Sequence, residues 1–167
     1  MVGVWVFVFL GRRKEMRRGF SMMICFALLL LTCSNPITPP NKGDYLPPTS
    51  PENVLSNLEV AYNTKDLRGY LECLSKDFSF YSPKVGEWDR EVEKGIHGRL
   101  FKEVKSIDLR LMGEGIIEDE GKRYLLPRSY TLVLTHSSGL SEEASGQVMF
   151  YLCQEGGGLW KIVKWRE

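Results

Sequence analysis

The chain has 167 residues, of which 22 are basic, 21 are acidic and 43% are hydrophobic. This balance lacks the clustered basic excess of a nucleic-acid interface, so we expect no nucleic-acid partner. The length suits one folded domain with accessory segments.

The first 32 residues have the pattern of a secretion signal. Arg17 and Arg18 precede the apolar stretch Phe20–Thr32, which only Ser21 interrupts. A cationic start followed by roughly 7–15 apolar residues is typical of a signal peptide, whereas a membrane-spanning helix needs about 20. We therefore predict a signal peptide over residues 1–32. Translation from Met16, with residues 1–15 a mis-annotated start, remains an open alternative.

The end of this stretch resembles the lipobox of bacterial lipoproteins. It reads Leu30-Leu31-Thr32-Cys33, with Thr32 where that family prefers Gly, Ala or Ser. The resemblance implies a diacylated, palmitate-bearing Cys33. It also implies a membrane-anchored lipoprotein in the bacterial cell envelope, facing the periplasm or the exterior. The alternative is an ordinary secretory signal, with Cys33 an incidental thiol.

A proline-rich linker follows Cys33. Six of the eight prolines lie between residues 34 and 51. Such a segment stays extended, and at about 3.1 Å per residue it reaches roughly 50 Å. We assign residues 33–50 to the lipidated cysteine and the linker, and residues 51–167 to one domain.

Three segments have the apolar periodicity of amphipathic helices. Ser50 is a good N-cap for the first, and Pro51 suits its first helical position. Thr64 is expected to cap the second. The apolar positions are Val54, Leu55, Leu58, Ala61 and Tyr62 in the first, Leu67, Tyr70, Leu71 and Leu74 in the second, and Trp88, Val92, Ile96, Leu100 and Val104 in the third.

Strand patterns occupy most of the remainder. Apolar and polar residues alternate over 77–81, 107–111, 129–136 and 144–152. The last strand, 159–165, is about equally apolar on both faces, so its inward face is not determined. Helices and a strand followed by a run of strands give an α+β order, in which the helices cover one sheet face.

The order of elements and two motifs resemble the nuclear-transport-factor-2-like superfamily. The motifs are a Gly-x-x-x-Phe strand at Gly146–Phe150 and the closing Gly-x-Trp-Lys-Ile-x-x-Trp from Gly158 to Trp165. The segment Pro51–Tyr62 also resembles the first helix of envelope lipoproteins that carry this domain. The resemblance implies an α+β cone, with three helices from the N-terminal half packed on a curved antiparallel sheet around a pocket. That superfamily contains ketosteroid isomerases, polyketide cyclases, dehydratases and non-enzymatic binding domains, so the fold alone does not choose a function.

The side chains predicted to form the core also give the predicted pocket lining. They are Tyr62, Tyr70, Phe78, Phe80, Tyr130, Leu132, His136, Phe150 and Trp160. Enzymes of the superfamily place an Asp or His in the cone, often with a Tyr. His97, His136, Asp77 and Asp108 match no active-site motif of that family. We interpret them as boundary, turn or solvent-facing residues and assign no catalytic residue.

The remaining signals for sites are weak. Cys73 and Cys153 lie in the predicted domain, and whether they pair is left open. No Cys-x-x-Cys or His-rich spacing predicts a metal, and no glycine-rich loop precedes a helix, so no cofactor is predicted.

These observations predict a lipid-anchored envelope protein with a non-catalytic binding or scaffolding domain. Its partner would be a small apolar ligand or another envelope protein. The alternative is a lipid-anchored enzyme of the ketosteroid isomerase, polyketide cyclase or dehydratase type. A homodimer formed through the sheet face is a further option.

Overall fold

A computed structural model describes residues 45–115, 117–119 and 123–167. The predicted signal peptide, the lipidation of Cys33 and most of the linker lie outside the described residues. The helices are α1 (Pro51–Asn63), α2 (Leu67–Cys73) and α3 (Arg90–Glu103). The strands are β1 (Leu74–Ser82), β2 (Gly86–Asp89), β3 (Val104–Met112), β4 (Ile117–Asp119), β5 (Arg123–His136), β6 (Ser141–Glu155) and β7 (Leu159–Arg166).

Helix α1 begins as its sequence predicts. The Ser50 side chain accepts a hydrogen bond from the Asn53 amide at 3.2 Å, and Pro51 occupies the first turn. Capping of this kind satisfies one of the otherwise unpaired amides at a helix start. The predicted apolar stripe, Val54 to Tyr62, is buried.

Helices α2 and α3 begin later than predicted. Asp66 caps α2, because Thr64 instead closes α1 by donating its hydroxyl to the Val60 carbonyl at 2.7 Å. Asp89 caps α3, accepting from two amides at 3.0 Å. Trp88 therefore belongs to β2 rather than to the third helix, where its side chain stacks on Phe80 at a centroid distance of 4.1 Å.

The seven strands form one curved, mixed sheet. Their order is β2-β1-β7-β6-β5-β3, with β4 paired to β5. The β1–β7 pair is parallel and the other pairs are antiparallel. The parallel pair departs from the antiparallel sheet expected from sequence. It arises because the last strand inserts between β1 and β6.

The helices cover one sheet face and enclose the core, which confirms the predicted α+β cone. Ile162 and Trp165 point into this core, which settles the inward face of β7. Alternate residues of β5 and β6, such as Leu132 and Phe150, are buried with them. In the part of the chain that the structure describes, no helix is both long and apolar enough to cross a bilayer.

The end of the predicted linker packs on the domain as a strap over residues 45–50. Leu46 and the Asn57 side chain exchange two hydrogen bonds of 2.7 Å. The Trp160 amide donates to the Pro48 carbonyl at 2.8 Å. The Tyr45 hydroxyl donates to Asp66 at 3.1 Å, and its ring fills the space that a side chain at Gly69 would need.

Candidate functional site

The interior of the cone contains a buried polar cluster centred on Glu93. Helix α3 supplies Glu93 and His97, which are 1% and 3% exposed. Helices α1 and α2 supply Tyr62 and Tyr70, and β2 supplies Trp88. We call these five residues the Glu93 cluster. They come from four different elements, so only the folded chain brings them together.

The hydrogen bonds of the Glu93 cluster fix where its protons lie. Both Glu93 carboxylate oxygens accept, one from the Tyr70 hydroxyl and one from the Trp88 indole N–H. His97 Nδ1 lies 3.2 Å from the Glu93 carbonyl and 3.2 Å from the Glu93 carboxylate. Both neighbours of Nδ1 are acceptors, so Nδ1 carries a proton. In the neutral imidazole, Nε2 then accepts from the Tyr62 hydroxyl.

Both phenols of the cluster keep their protons. Burial raises the pKa of Tyr62 and of Tyr70 well above the ordinary value, and the Glu93 charge raises both further. The cluster is therefore a chain of donors that ends on a carboxylate. A Tyr–His–Glu chain could relay a proton, provided that a substrate reached the Tyr62 hydroxyl.

The space beside Tyr62 is too small for an organic substrate. The cavity there measures about 10 Å³, and its lining includes Leu58, Tyr62, Tyr130, Phe150 and Trp165. A cavity needs roughly 10–15 Å³ on this measure to hold one water, and ligand pockets typically measure about 300–1,000 Å³. Among the described residues, side chains thus fill the space beside Tyr62 almost completely.

Several solved structures of other proteins align with the fold of this chain. A conserved protein from Planctomyces limnophilus aligns with a TM-score of 0.64 and 17% identity, over 70% of this chain and 90% of that one. A nuclear transport factor 2-like superfamily protein from Salmonella enterica aligns at 0.56 and 15%, over 68% and 83%. A ketosteroid isomerase-like protein from Erwinia carotovora atroseptica aligns at 0.57 and 14%, over 69% and 89%.

The chain has a nuclear-transport-factor-2-like fold. No family model and no curated protein sequence matches it. Structural matches at identities this low establish the fold alone, so an activity must be argued from the site.

Two donors in the nuclear-transport-factor-2-like cone have no hydrogen-bond partner among the described residues. They are the Tyr130 hydroxyl and the Trp165 indole N–H, and both residues line the small cavity. Burial raises the pKa of Tyr130 to about 12, so its hydroxyl remains a donor. The Tyr130 ring lies over Gly146 on β6, where a Cβ would come within 3.0 Å of it. The glycine of the Gly-x-x-x-Phe motif thus makes room for this ring.

The residues predicted to line the pocket lie in different environments. Tyr62, Tyr130 and Phe150 line the small cavity. The predicted positions that are fully packed core are Tyr70, Phe78, Phe80 and Leu132. Trp160 lies half-buried beside Tyr124, and His136 ends β5 with its Nε2 3.3 Å from the Glu142 carboxylate.

The other candidates from the sequence lie outside the cone interior. Asp77 is exposed on β1, and Asp108 pairs with Arg110 at 3.0 Å. Cys73 and Cys153 are free thiols and do not form a disulfide. Among the described residues, no group of side chains could hold a metal ion.

Sequence reasoning missed Glu93 and Trp88 and treated His97 as a boundary residue. Helix α3 reads Arg-Glu-Val-Glu-Lys-Gly-Ile-His-Gly-Arg, a charged sequence typical of a solvated face. The one available signal is the spacing of Glu93 and His97, which at i and i+4 places them on one helix face.

Proposed function

We propose that this chain is a lipid-anchored envelope protein whose cone domain binds a partner or scaffolds other proteins without catalysis. The filled interior carries this proposal, since a cavity of about 10 Å³ leaves no room for a substrate beside Tyr62. The satisfied Glu93 cluster agrees with it, because buried polar groups that bond one another serve to specify the core. The partner is a small apolar ligand or an envelope protein.

Lipid anchoring rests on the sequence pattern that ends at Cys33. Replacing the sulfur with a hydroxyl, in Cys33→Ser, is expected to remove the acyl mass and move the protein from the detergent phase to the aqueous phase. Cys25→Ser is the matched control, because its thiol lies within the predicted signal peptide. If Cys33→Ser keeps the mass and partitioning of the parent, the anchor is wrong.

The binding role is tested by native mass spectrometry of the full-length protein extracted from its membrane. We expect a co-purifying small molecule or an envelope protein. A protein that carries neither, and that retains none when challenged with the envelope extract, contradicts the role. A homodimer formed through the sheet face would be seen in the same spectra as a doubled mass.

The Tyr62–His97–Glu93 chain favours a second candidate, an isomerase or dehydratase. A proton relay of this kind could serve either reaction if the cone opened. The ketosteroid isomerase-like neighbour shares the fold. The test is turnover of a β,γ-unsaturated ketone or a β-hydroxy ketone. Activity that falls at least about a hundredfold in both Tyr62→Phe and His97→Gln would establish catalysis in place of the non-catalytic role.

A further inference from the structure

A cavity lies on the sheet, and its lining includes none of the Glu93 cluster. It measures about 760 Å³, which falls within the range of small-molecule sites. We call it the sheet cleft and define it by six lining residues from four strands. They are Asp77 of β1, Arg123 and Tyr124 of β5, Cys153 of β6, and Trp160 and Lys164 of β7.

One wall of the sheet cleft is aromatic. The rings of Tyr124 and Trp160 meet edge to face at a centroid distance of 4.8 Å, and Tyr151 also lines the cleft. Aromatic side chains bind planar rings by stacking and edge contacts. This wall therefore suits a planar, largely apolar ligand.

The charged groups of the sheet cleft favour an anion. Arg123, Lys164 and one carboxylate, Asp77, line the cleft, and the pairing of Lys164 with Glu87 leaves Arg123 as the cation that can receive an anion. The Arg123 side chain makes no ion pair or hydrogen bond with the described residues, whereas Lys164 lies 3.5 Å from Glu87. A guanidinium is a fork of donors that matches a carboxylate.

We propose that the sheet cleft binds a small aromatic carboxylate. In this arrangement Arg123 holds the carboxylate and Tyr124 and Trp160 contact the ring. The inference deepens the proposed binding role, and rests on it, by naming a site and a ligand class.

Cys153 supplies a reporter inside the cleft. It is a half-buried free thiol, so a small alkylating reagent can reach it. Cys73 is an internal reference, because it is buried and burial raises its pKa to about 12. Peptide mapping by mass spectrometry follows each cysteine separately in the full-length protein.

The experiment measures alkylation of Cys153 by iodoacetamide with 2-naphthoate as the probe. If the probe covers the thiol, only the free protein reacts. At a probe concentration of about ten times the Kd, the alkylation rate of Cys153 should therefore fall about tenfold. The neutral analogue 2-naphthol should need at least about a tenfold higher concentration for the same protection, because it lacks the charged contact. Arg123→Gln should raise the Kd for 2-naphthoate about tenfold.

Arg110→Gln is the matched control, since that guanidinium pairs with Asp108 and does not line the cleft. It should leave protection unchanged. Absence of protection, or protection equal in Arg123→Gln, overturns the assignment. Protection that rises with protein concentration without probe also overturns it, because a second copy then covers the cleft. If a co-purified ligand stays bound in Arg123→Gln, the cleft assignment is wrong, but the proposed binding role is still supported.

Discussion

At the scale of single residues, the unusual feature is a carboxylate placed inside the core. Glu93 is 1% exposed although its helix is rich in charge. Burying an ionised group is costly unless other groups bond to it. Tyr70, Trp88 and His97 supply those bonds, so the stability of the cone depends on complete pairing within the cluster.

The first prediction concerns Glu93→Gln. The amide keeps one acceptor oxygen and has an NH2 group in place of the other. Either the Trp88 donor or the Tyr70 donor therefore loses its acceptor. We expect a loss of about 1–3 kcal/mol in the free energy of unfolding, measured by urea denaturation. Glu91→Gln is the control on the same helix, and its exposed pair with Lys94 should contribute about 0.5 kcal/mol or less. Equal effects of the two changes would refute the pairing argument.

The second prediction concerns alkaline pH. Burial raises the pKa of Tyr62 and Tyr70 well above the ordinary value, and that of Tyr45 and Tyr130 to about 12. Between about pH 10 and 12 the folded state then holds more protons than the unfolded state, so stability falls as pH rises.

We therefore expect the tyrosinate absorbance of Tyr62 and Tyr70 to appear only with unfolding. Absorbance and circular dichroism, titrated together, provide the measurement. Tyr70→Phe should make the fall in stability with pH less steep. Ionisation of all seven tyrosines before any unfolding would contradict the burial of these phenols.

At the scale of elements, the strap over residues 45–50 is bonded to the folded domain. Its backbone is bonded to Asn57 of α1 and to Trp160 of β7. The proline-rich composition gives no sign of this attachment, because the bonds come from a side chain eleven residues away and from the backbone of β7. The described part of the chain therefore begins beside α2, where Asp66 holds the Tyr45 hydroxyl.

The third prediction is that Asn57→Ala releases the strap. Asn57 is buried, and its loss leaves the Leu46 amide and carbonyl without their partner. We expect about 1–3 kcal/mol of destabilisation, with faster hydrogen exchange at Leu46. Asn53→Ala is the comparison, since it removes another bond to the strap, the exposed one to the Pro47 carbonyl, and should have the smaller effect. Unchanged exchange at Leu46 in Asn57→Ala would show that other contacts hold the strap.

At the scale of the whole molecule, the last strand of the chain lies in the interior of the sheet rather than at its edge. β7 lies between β1 and β6, and it buries Ile162 and Trp165. Its pairing with β1 joins segments at opposite ends of the domain, so the parallel seam forms only once most of the chain is present.

The fourth prediction concerns removal of residues 159–167. β1 and β6 then lose their common partner, and the core loses two buried side chains. We expect no cooperative unfolding transition by circular dichroism or calorimetry. A chain that begins at Tyr45 is the control and should keep its transition, because every described element remains. A cooperative transition in the shortened chain would show that β7 is dispensable.

The sequence by itself determined the features that local patterns encode. The apolar stripe and cap of α1 and the alternation in β5 and β6 follow from fixed periods of 3.6 and 2 residues. The α+β cone and the burial of Tyr62, Tyr130 and Phe150 follow from those patterns together with the motif resemblance. The short strand β2 was missed, because Trp88 also fits a helical spacing.

Only the tertiary structure decided how distant segments meet. The parallel β1–β7 seam, the inward face of β7 and the position of Glu93 depend on partners far along the chain. A carboxylate in a charged helix has the same local sequence whether it contacts water or a phenol, an indole and an imidazole. Its burial is settled by those partners, because the cost of removing it from water is offset only by bonds that the assembled cone provides.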